Sequence, residues 1–271
     1  MNHLFKWYRW VDILSLDVAV GAVICAYYFS TISSVDLNPV ALFCLGLSVW
    51  IIYTADHLKD ASQIKNEAST LRHKFHQQHF KLLFISIIIA GILILILVFN
   101  LDRHTVLWGL KLSVIVLIYL VINHYLSFTK EIIGGILYCL GVLLPALSQL
   151  DSPWSLLGRY EVAIFSLLVI INLLLFSAHE LSEDKQDDRK SFALRFGKSI
   201  TLLVVKSLIS LVAIILLISW SHIDFHSRII LILMITVLLA VIIFPKTFER
   251  NDRYRYWGDL IFLFPALSLV A

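Results

Sequence analysis

The sequence predicts an all-α integral membrane protein of about nine transmembrane helices. First, 59% of the 271 residues are hydrophobic and 15% are charged, with a mean hydropathy of +0.87, a balance that soluble domains do not have. Second, apolar runs of about 20 residues, enough to cross the hydrocarbon core, recur along the chain. Third, these runs are continuously apolar and lack the period-two alternation of membrane β-strands. Soluble helical bundles are also excluded, because the segments have no polar face.

Each predicted span begins and ends where polar residues interrupt an apolar run. The spans cover residues 11–33, 37–55, 80–99, 105–125, 131–149, 160–179, 199–220, 227–245 and 256–271. The first is interpreted as an uncleaved helix, because Asp17 interrupts it and no small-residue cleavage site follows. Together the spans predict a single polytopic domain over residues 1–271.

The distribution of basic residues predicts the orientation. Most of the 22 Lys and Arg residues lie in the N-terminal tail and the even-numbered connections, whereas the odd-numbered connections hold Arg103, Arg159 and Arg228. Basic residues are retained on the cytoplasmic side, so the N-terminus is expected inside, in a bacterial inner membrane. Because orientation explains these basic residues and the net charge is a modest +3, we expect a lipid bilayer and no nucleic acid as a partner.

Two polar connections on the predicted cytoplasmic side, 56–79 and 180–198, resemble each other. Each begins with two carboxylates spaced i, i+4 at the end of an apolar helix: Asp56 and Asp60 in the first, Glu180 and Asp184 in the second. This spacing places both carboxylates of a pair on one helix face. The pattern indicates a weak internal repeat offset by four helices.

The four carboxylates are candidate Mg²⁺ ligands, because like charges one turn apart need compensation and Mg²⁺ prefers carboxylate oxygens, water and phosphate. Basic residues in or near the two connections could bind the phosphates. The candidates are Lys59, Arg72, Lys130, Arg189 and Lys190. The alternative is that these charges are simply solvated at the helix ends. Two similarly arranged clusters favour a diphosphate and metal site with its opening towards the cytoplasm.

The two motifs resemble those of the UbiA superfamily of intramembrane prenyltransferases. The stretch IYTADHLKDA resembles the second half of the family's first motif, NDxxDxxxD, and ELSEDKQDDRKSFALRFG resembles its second motif. The first motif departs from the pattern, since Ile52 and Tyr53 stand where the family has Asn and Asp, and Arg72-His73 replaces Arg-Pro. The second begins with Glu180 instead of Asp and carries Asp188 where a small residue is common.

The resemblance implies a function. Asp56, Asp60, Glu180 and Asp184 would be the catalytic metal ligands, and a prenyl diphosphate would donate its isoprenoid chain to a lipophilic or aromatic acceptor. Two readings stay open beside this one: a terpene cyclase of the same fold, and a non-catalytic scaffold or lipid-binding protein. The missing Asn and Asp favour the scaffold, whereas the four retained carboxylates favour the enzyme.

Polar residues inside or beside the spans are pocket candidates. They are Asp17, Asn123, Tyr125, Asn172 and Asp188. Asp17 predicts either an ion pair with Lys206 or a place in the acceptor pocket, because an acidic residue at membrane depth needs a partner or a cavity. For Asn123 and Asn172, hydrogen bonding between helices is the competing interpretation.

Two further patterns have a structural interpretation. Gly134, Gly135 and Gly141 are expected to permit close helix packing. The spacing of His73, His76 and His79 predicts an amphipathic surface segment, because the outer two diverge around a helix axis and suit a metal poorly.

Overall fold

The computed structural model describes residues 3–64, 67–123, 125–126 and 128–269, and within these ranges every regular element is helical. In chain order the helices are α1 His3–Ile13, α2 Leu16–Ile32, α3 Pro39–Gln63, α4 Leu71–Gln78, α5 Phe80–Leu97, α6 Arg103–Ile122, α7 Lys130–Leu147, α8 Trp154–Leu157, α9 Tyr160–His179, α10 Leu181–Gln186, α11 Phe192–Phe196, α12 Lys198–Ile218, α13 Phe225–Ile243, α14 Pro245–Glu249 and α15 Arg253–Leu260. Three 3₁₀ segments, Val98–Asn100, Arg250–Asp252 and Ile261–Leu269, extend or join them.

Seven helices among the described residues are long and apolar enough to cross a membrane. They are α3, α5 with its 3₁₀ extension, α6, α7, α9, α12 and α13. The all-helical multi-pass architecture is therefore confirmed. The count of nine and the orientation stay predictions, because α2 has 17 residues and the last predicted span is divided between α15 and a 3₁₀ segment.

The first predicted span is broken at Ser15, whose φ of 54° lies in the left-handed region. The break ends α1 and starts α2 in a new direction. As a result Asp12 and Asp17 lie on different helices, although only four residues separate them in sequence. A run of apolar residues gives no warning of such a break, because Ser is tolerated in a membrane helix.

Helix α3 is longer than predicted. Asn38 caps its N-terminus by accepting a hydrogen bond from the Val40 amide at 2.9 Å, and Pro39 occupies the first turn. The helix then runs to Gln63 instead of ending at residue 55. Asp56 and Asp60 therefore lie on a continuous helix and not in a loop, which corrects the predicted connection 56–79.

Helix α9 forms the centre of the bundle and packs against α7, α12 and α13. Its side chains Ile164, Leu168 and Ile171 are fully buried. Helices α5 and α6 lie at the periphery, where most side chains are exposed in the isolated chain, as expected for lipid-facing helices. Cys25, Cys44 and Cys139 are free thiols buried among the helices.

Candidate functional site

A small polar cavity lies where the ends of α3, α7, α9 and α15 meet, which we call the motif end of the bundle. Its volume is about 160 Å³. The charged residues in its lining are Asp56, Arg72, Lys130, Glu131, Glu180, Asp184, Arg189, Arg255 and Asp259. Three of the four motif carboxylates therefore face one space, from two segments that lie more than 120 residues apart in sequence.

The first motif is held by a neutral donor from α6. Asn123 donates from Nδ2 to Asp56 Oδ1 at 2.8 Å, and its Oδ1 accepts from the Lys59 ammonium. Lys59 also donates to the Leu120 carbonyl. Its amine is thus turned towards the end of α6 and lines neither this cavity nor the larger one described below, which corrects its predicted place among the phosphate ligands.

Arg189 connects the two motifs. Its guanidinium pairs with Asp60 of the first motif and, from Nη1, with Asp184 Oδ1 of the second at 3.3 Å. The chain reaches this position through Asp188, whose φ of 52° is left-handed. Burial raises the pKa of Asp184, with Arg189 opposing that shift, and the surrounding carboxylates raise the pKa of Arg189 although its burial acts against this.

Glu180 has partners from the C-terminal part of the chain. Arg255 Nη2 lies 2.5 Å from Glu180 Oε1, and the Tyr254 hydroxyl donates to the same oxygen at 3.4 Å. Both partners lie on α15. The sequence interpretation missed Arg255, although charged residues cluster just before the last apolar run in ERNDRYRYWGD, which is the signal that could have indicated it.

A buried carboxylate trio borders the polar cavity. Oxygen atoms of Asp12, Asp17 and Asp259 lie within 4.8 Å of one another. Arg72 pairs with Asp12, and the Tyr8 hydroxyl donates to Asp17 at 3.4 Å. Across the described residues, no other trio of carboxylate, imidazole or thiol ligands converges this closely. The motif carboxylates therefore do not converge as closely as this trio does.

The predicted ion pair between Asp17 and Lys206 is wrong. Asp17 is 3% exposed and lies among carboxylates at the break between α1 and α2, whereas Lys206 is exposed on α12. Asp17 does not itself line the polar cavity, although Val18 and Asp259 beside it do.

The two polar connections dock on each other. The Ser69 amide and hydroxyl donate to Asp187 at 3.2 and 2.9 Å. His73 Nδ1 lies 4.0 Å from Asp187 Oδ2. His73 and His76 are each 1% exposed, so the predicted amphipathic surface segment is wrong: α4 is packed with two imidazoles inward, towards His57.

A second, larger cavity of about 1090 Å³ lies between α3, α5, α6 and α7. Its motif end is polar, and the charged and amide residues there are Asp56, Asp60, Gln63, Asn123, Lys130, Glu131, Asp187, Asp188, Arg189 and Lys190. Its remaining lining is mainly apolar and continues to Leu101 and Thr105, at the opposite, distal end of the bundle. The two cavities share a wall, whose members are Tyr53, Asp56, Lys130, Glu131, Tyr138, Leu173 and Arg189.

Comparisons with solved structures decide the fold. A UbiA homologue from Archaeoglobus fulgidus bound to GPP and Mg²⁺ superposes with a TM-score of 0.68, covering 96% of this chain and 98% of that chain at 13% identity. An apo UbiA homologue from Aeropyrum pernix K1 gives a TM-score of 0.68, with 96% of each chain covered at 13% identity. The chain has the UbiA fold.

A digeranylgeranylglyceryl phosphate synthase is also similar, with a TM-score of 0.54 at 13% identity over 97% of this chain and 99% of that chain. No family model matches the sequence, and no curated protein matches it. The likeness to the UbiA fold is thus carried by structure over nearly the whole length, at an identity where sequence comparison finds nothing.

Within this UbiA fold, Ile52 and Tyr53 take the places where the resembled motif has Asn and Asp. Ile52 lines the larger cavity, and Tyr53 lines both cavities. Asp259, from α15, lines the polar cavity together with Tyr53. A carboxylate missing from α3 is therefore present in the same cavity on another helix, and the sequence interpretation did not find it because the two lie about 200 residues apart.

Five buried polar atoms in residues that line the polar cavity have no hydrogen-bond partner among the described residues. They are Asn172 Oδ1, Tyr138 Oη, His57 Nδ1, Arg72 Nε and Glu131 Oε2. Asn172 is 2% exposed and lies two turns before Glu180 on α9. Buried polar atoms are rarely left unpaired, so these five indicate places where a ligand or water can bind.

The remaining predicted residues lie as follows. Lys190 and Asp188 are exposed at the motif end of the larger cavity. Tyr125 is 78% exposed and lines neither cavity, so it does not occupy the predicted pocket position. Asn123, Lys130, Asn172 and the diphosphate candidates Arg72 and Arg189 line one or both cavities.

Proposed function

We propose that this protein is a Mg²⁺-dependent intramembrane prenyltransferase of the UbiA superfamily, which transfers an isoprenoid chain from a prenyl diphosphate to a small aromatic acceptor. The observation that carries the proposal is the shared wall between the two cavities. A space lined by carboxylates and cations adjoins a long apolar space, which matches the two parts of a prenyl diphosphate. Two of the similar solved structures are described as bound to Mg²⁺ with GPP or DMAPP.

The donor set fits Mg²⁺. Asp56, Glu180 and Asp184 line one cavity, and Asp60 is linked to Asp184 through Arg189. Carboxylate oxygens, with water and phosphate completing the shell, are what Mg²⁺ takes in phosphoryl sites. Bound to these four residues, Mg²⁺ would supply Lewis-acid stabilisation of the charge on the diphosphate oxygens.

The chain's own cations would act on the same charge. Lys130, Arg72 and Arg189 line the polar cavity and would bind the diphosphate as the bond from carbon to oxygen breaks and the leaving group takes the electron pair. The apolar wall would keep water away from the allylic cation. The acceptor carbon then forms the new bond, and its proton passes to the released diphosphate.

The acceptor is proposed to bind beside Asn172 and Tyr138, because both residues line the polar cavity and their side-chain oxygens have no hydrogen-bond partner among the described residues. An aromatic acceptor bearing a hydroxyl would give Asn172 Oδ1 a donor. The site is proposed to face the cytoplasm of a bacterial inner membrane, as the distribution of basic residues predicts.

The test is diphosphate release by purified protein in detergent with Mg²⁺ and a panel of prenyl diphosphates, with and without phenolic acceptors. Asp56→Asn and Asp184→Asn are expected to abolish release. Each variant should still show a melting transition, which demonstrates that it is folded. The matched control is Asp151→Asn, an exposed carboxylate at the distal end, which should keep full activity. Release with no acceptor, yielding a cyclic hydrocarbon, would assign a cyclase instead. No release and no Mg²⁺-dependent thermal shift with any donor would assign a scaffold or lipid-binding protein.

A further inference from the structure

The larger cavity is long as well as wide. On α3 its lining extends from Gln63 to Ala41, of which the stretch from Asp56 to Ala41 lies beyond the acidic motif; along α6 the lining extends from Asn123, just after the helix, to Thr105. At about 1.5 Å of rise per residue these stretches measure about 22 and about 27 Å. Its volume of about 1090 Å³ lies at the upper end of the range for small-molecule pockets.

Glycines keep the cavity open over this length. Gly91, Gly109 and Gly141 line it on three different helices, and a Cβ atom added at any of them would meet nothing within 4 Å. Gly134 and Gly135 differ, because a Cβ there would lie 2.9 Å from Tyr119 or Ile170. The expectation of close helix packing therefore suits Gly134 and Gly135, whereas at Gly141 it is wrong.

The glycines lie at graded depths. Gly141 is eleven residues along α7 from Lys130, at about 17 Å, and Gly109 is fourteen residues along α6 from Asn123, at about 21 Å. Lys130 and Asn123 both line the motif end of the cavity, so these depths are measured from a common level. An isoprene repeat contributes four main-chain carbon–carbon bonds of about 1.5 Å, and so about 5 Å of extended length.

We propose, resting on the function proposed above, that this cavity selects the donor by the length of its isoprenoid chain. It takes prenyl diphosphates of four or more isoprene units, and the open glycines Gly141 and Gly109 make room for the third unit and beyond. The depth of Gly141 corresponds to about three repeats and that of Gly109 to about four. The distal end of the donor's isoprenoid chain lies near Thr105.

The occupant is the donor's chain and not a membrane phospholipid, because the cavity begins at residues that also line the polar cavity. Asp56, Lys130 and Arg189 belong to both linings. A ligand whose apolar chain is attached directly to a diphosphate can place the two parts on the two sides of this wall. A phospholipid has two chains and a glycerol between them and its phosphate.

The experiment compares kcat/KM for donors of one to five isoprene units at fixed acceptor and Mg²⁺, in the unaltered protein and in Gly141→Phe and Gly109→Phe. The unaltered protein should favour four units over two by at least tenfold. Gly141→Phe should reverse that order, because the ring fills the space beyond the third unit. Gly109→Phe should weaken five-unit donors and leave shorter ones within about twofold. Ile136→Phe on α7 and Leu107→Phe on α6, both exposed and outside the lining, are the matched controls and should leave the profile unchanged.

Retained turnover of short donors in Gly141→Phe shows that the variant is folded. Equal or better use of two-unit donors by the unaltered protein, or an unchanged profile in Gly141→Phe, would overturn the proposal. So would tightly bound phospholipid that a four-unit donor does not displace.

Binding keeps the two proposals separable. Thermal stabilisation by non-hydrolysable thiolodiphosphate analogues of each chain length is measured in the same variants. If no donor is turned over but the four-unit analogue stabilises best and Gly141→Phe removes that preference, selection by chain length is supported and the transferase function is overturned. If donors are turned over without preference for length, the transferase function is supported and selection by chain length is overturned.

Discussion

The two acidic motifs look like repeats in sequence but are supported differently. The first lies inside the uninterrupted helix α3, and Asn123 from α6 holds Asp56. The second lies where α9 ends and the chain turns into the short helix α10, and arginines hold its two carboxylates. Arg189 of the second connection also pairs with Asp60 of the first. The second connection thus supplies the cation that links the two motifs, so the first motif can lose polar positions and still belong to one site.

The largest expected effects come from removing one carboxylate charge in each motif. Asp56→Asn and Asp184→Asn keep the shape of the side chain but remove a proposed metal ligand. Loss of one electrostatic contribution at a transition state commonly costs at least about 100-fold in rate, and we expect that loss or more from both. Single-turnover diphosphate release measures it. If one variant kept more than a tenth of the activity, the motifs would not be equivalent ligand sources.

The ion pairs of Arg189 with the two motifs should contribute to stability as well as to activity. Arg189→Gln leaves Asp60 and Asp184 without their shared cation, and a charge left unpaired in a buried pair costs about 3 kcal/mol or more when fully buried. Because the Arg189 side chain is 19% exposed, we expect a smaller loss, about 1 to 2 kcal/mol, seen as a lower melting temperature.

Lys190→Gln, at the neighbouring exposed position, is the matched control and should change the free energy of unfolding by less than about 0.5 kcal/mol. A wild-type melting temperature in Arg189→Gln would show that the two motifs are not coupled through this residue.

The sequence predicts those parts of this architecture that depend on composition and spacing. Seven apolar spans and the two acidic pairs follow from the length of the apolar runs and the i, i+4 spacing. The break at Ser15 does not, because Leu14 and Leu16 flank it directly and neither Gly nor Pro marks it. Asp12, Arg255 and Asp259 could not be placed either. The contacts of Asp12 with Arg72 and of Arg255 with Glu180, and the place of Asp259 in the polar cavity, depend on which helix ends meet in three dimensions.

The support of the second motif by α15 depends on a close approach between helices. A Cβ atom added at Gly258 would lie 2.3 Å from Asn172 Oδ1 and 2.6 Å from Phe176. Gly258→Ala should therefore push α15, with its Arg255, away from α9. Overpacking typically costs about 1 to 3 kcal/mol, so we expect a lower melting temperature and a raised KM for the acceptor.

Gly109→Ala is the matched control for the same chemical change, because the new methyl group would meet nothing within 4 Å. Equal stability of the two alanine variants would mean that α15 and α9 can separate at no cost, and Asn172 would then have no fixed place in the site.

The smallest effect is expected where the two connections dock, and it should depend on pH. Burial, followed by the charges of Arg189, Arg255 and Arg72, lowers the pKa of His73 to about 2, although Asp187 lies 4.0 Å away. His73 is therefore neutral in the folded protein, whereas in the unfolded chain it takes up a proton near its ordinary pKa of about 6.5. The unfolded state binds more protons below that pH, so stability is lost as the pH falls from about 6.5 towards 5, by at most about 1.4 kcal/mol per pH unit for this one residue.

The melting temperature in detergent, measured between pH 8 and 5, should fall on the acid side and be flat above about pH 7. His73→Gln should lower the melting temperature at pH 8 but reduce the acid slope, because one proton fewer is taken up on unfolding. His104→Gln, at an exposed position on α6, should leave the slope unchanged. An acid slope that His73→Gln does not alter would mean that another group, such as His76, whose pKa burial also lowers, accounts for the acid sensitivity of the docked connections.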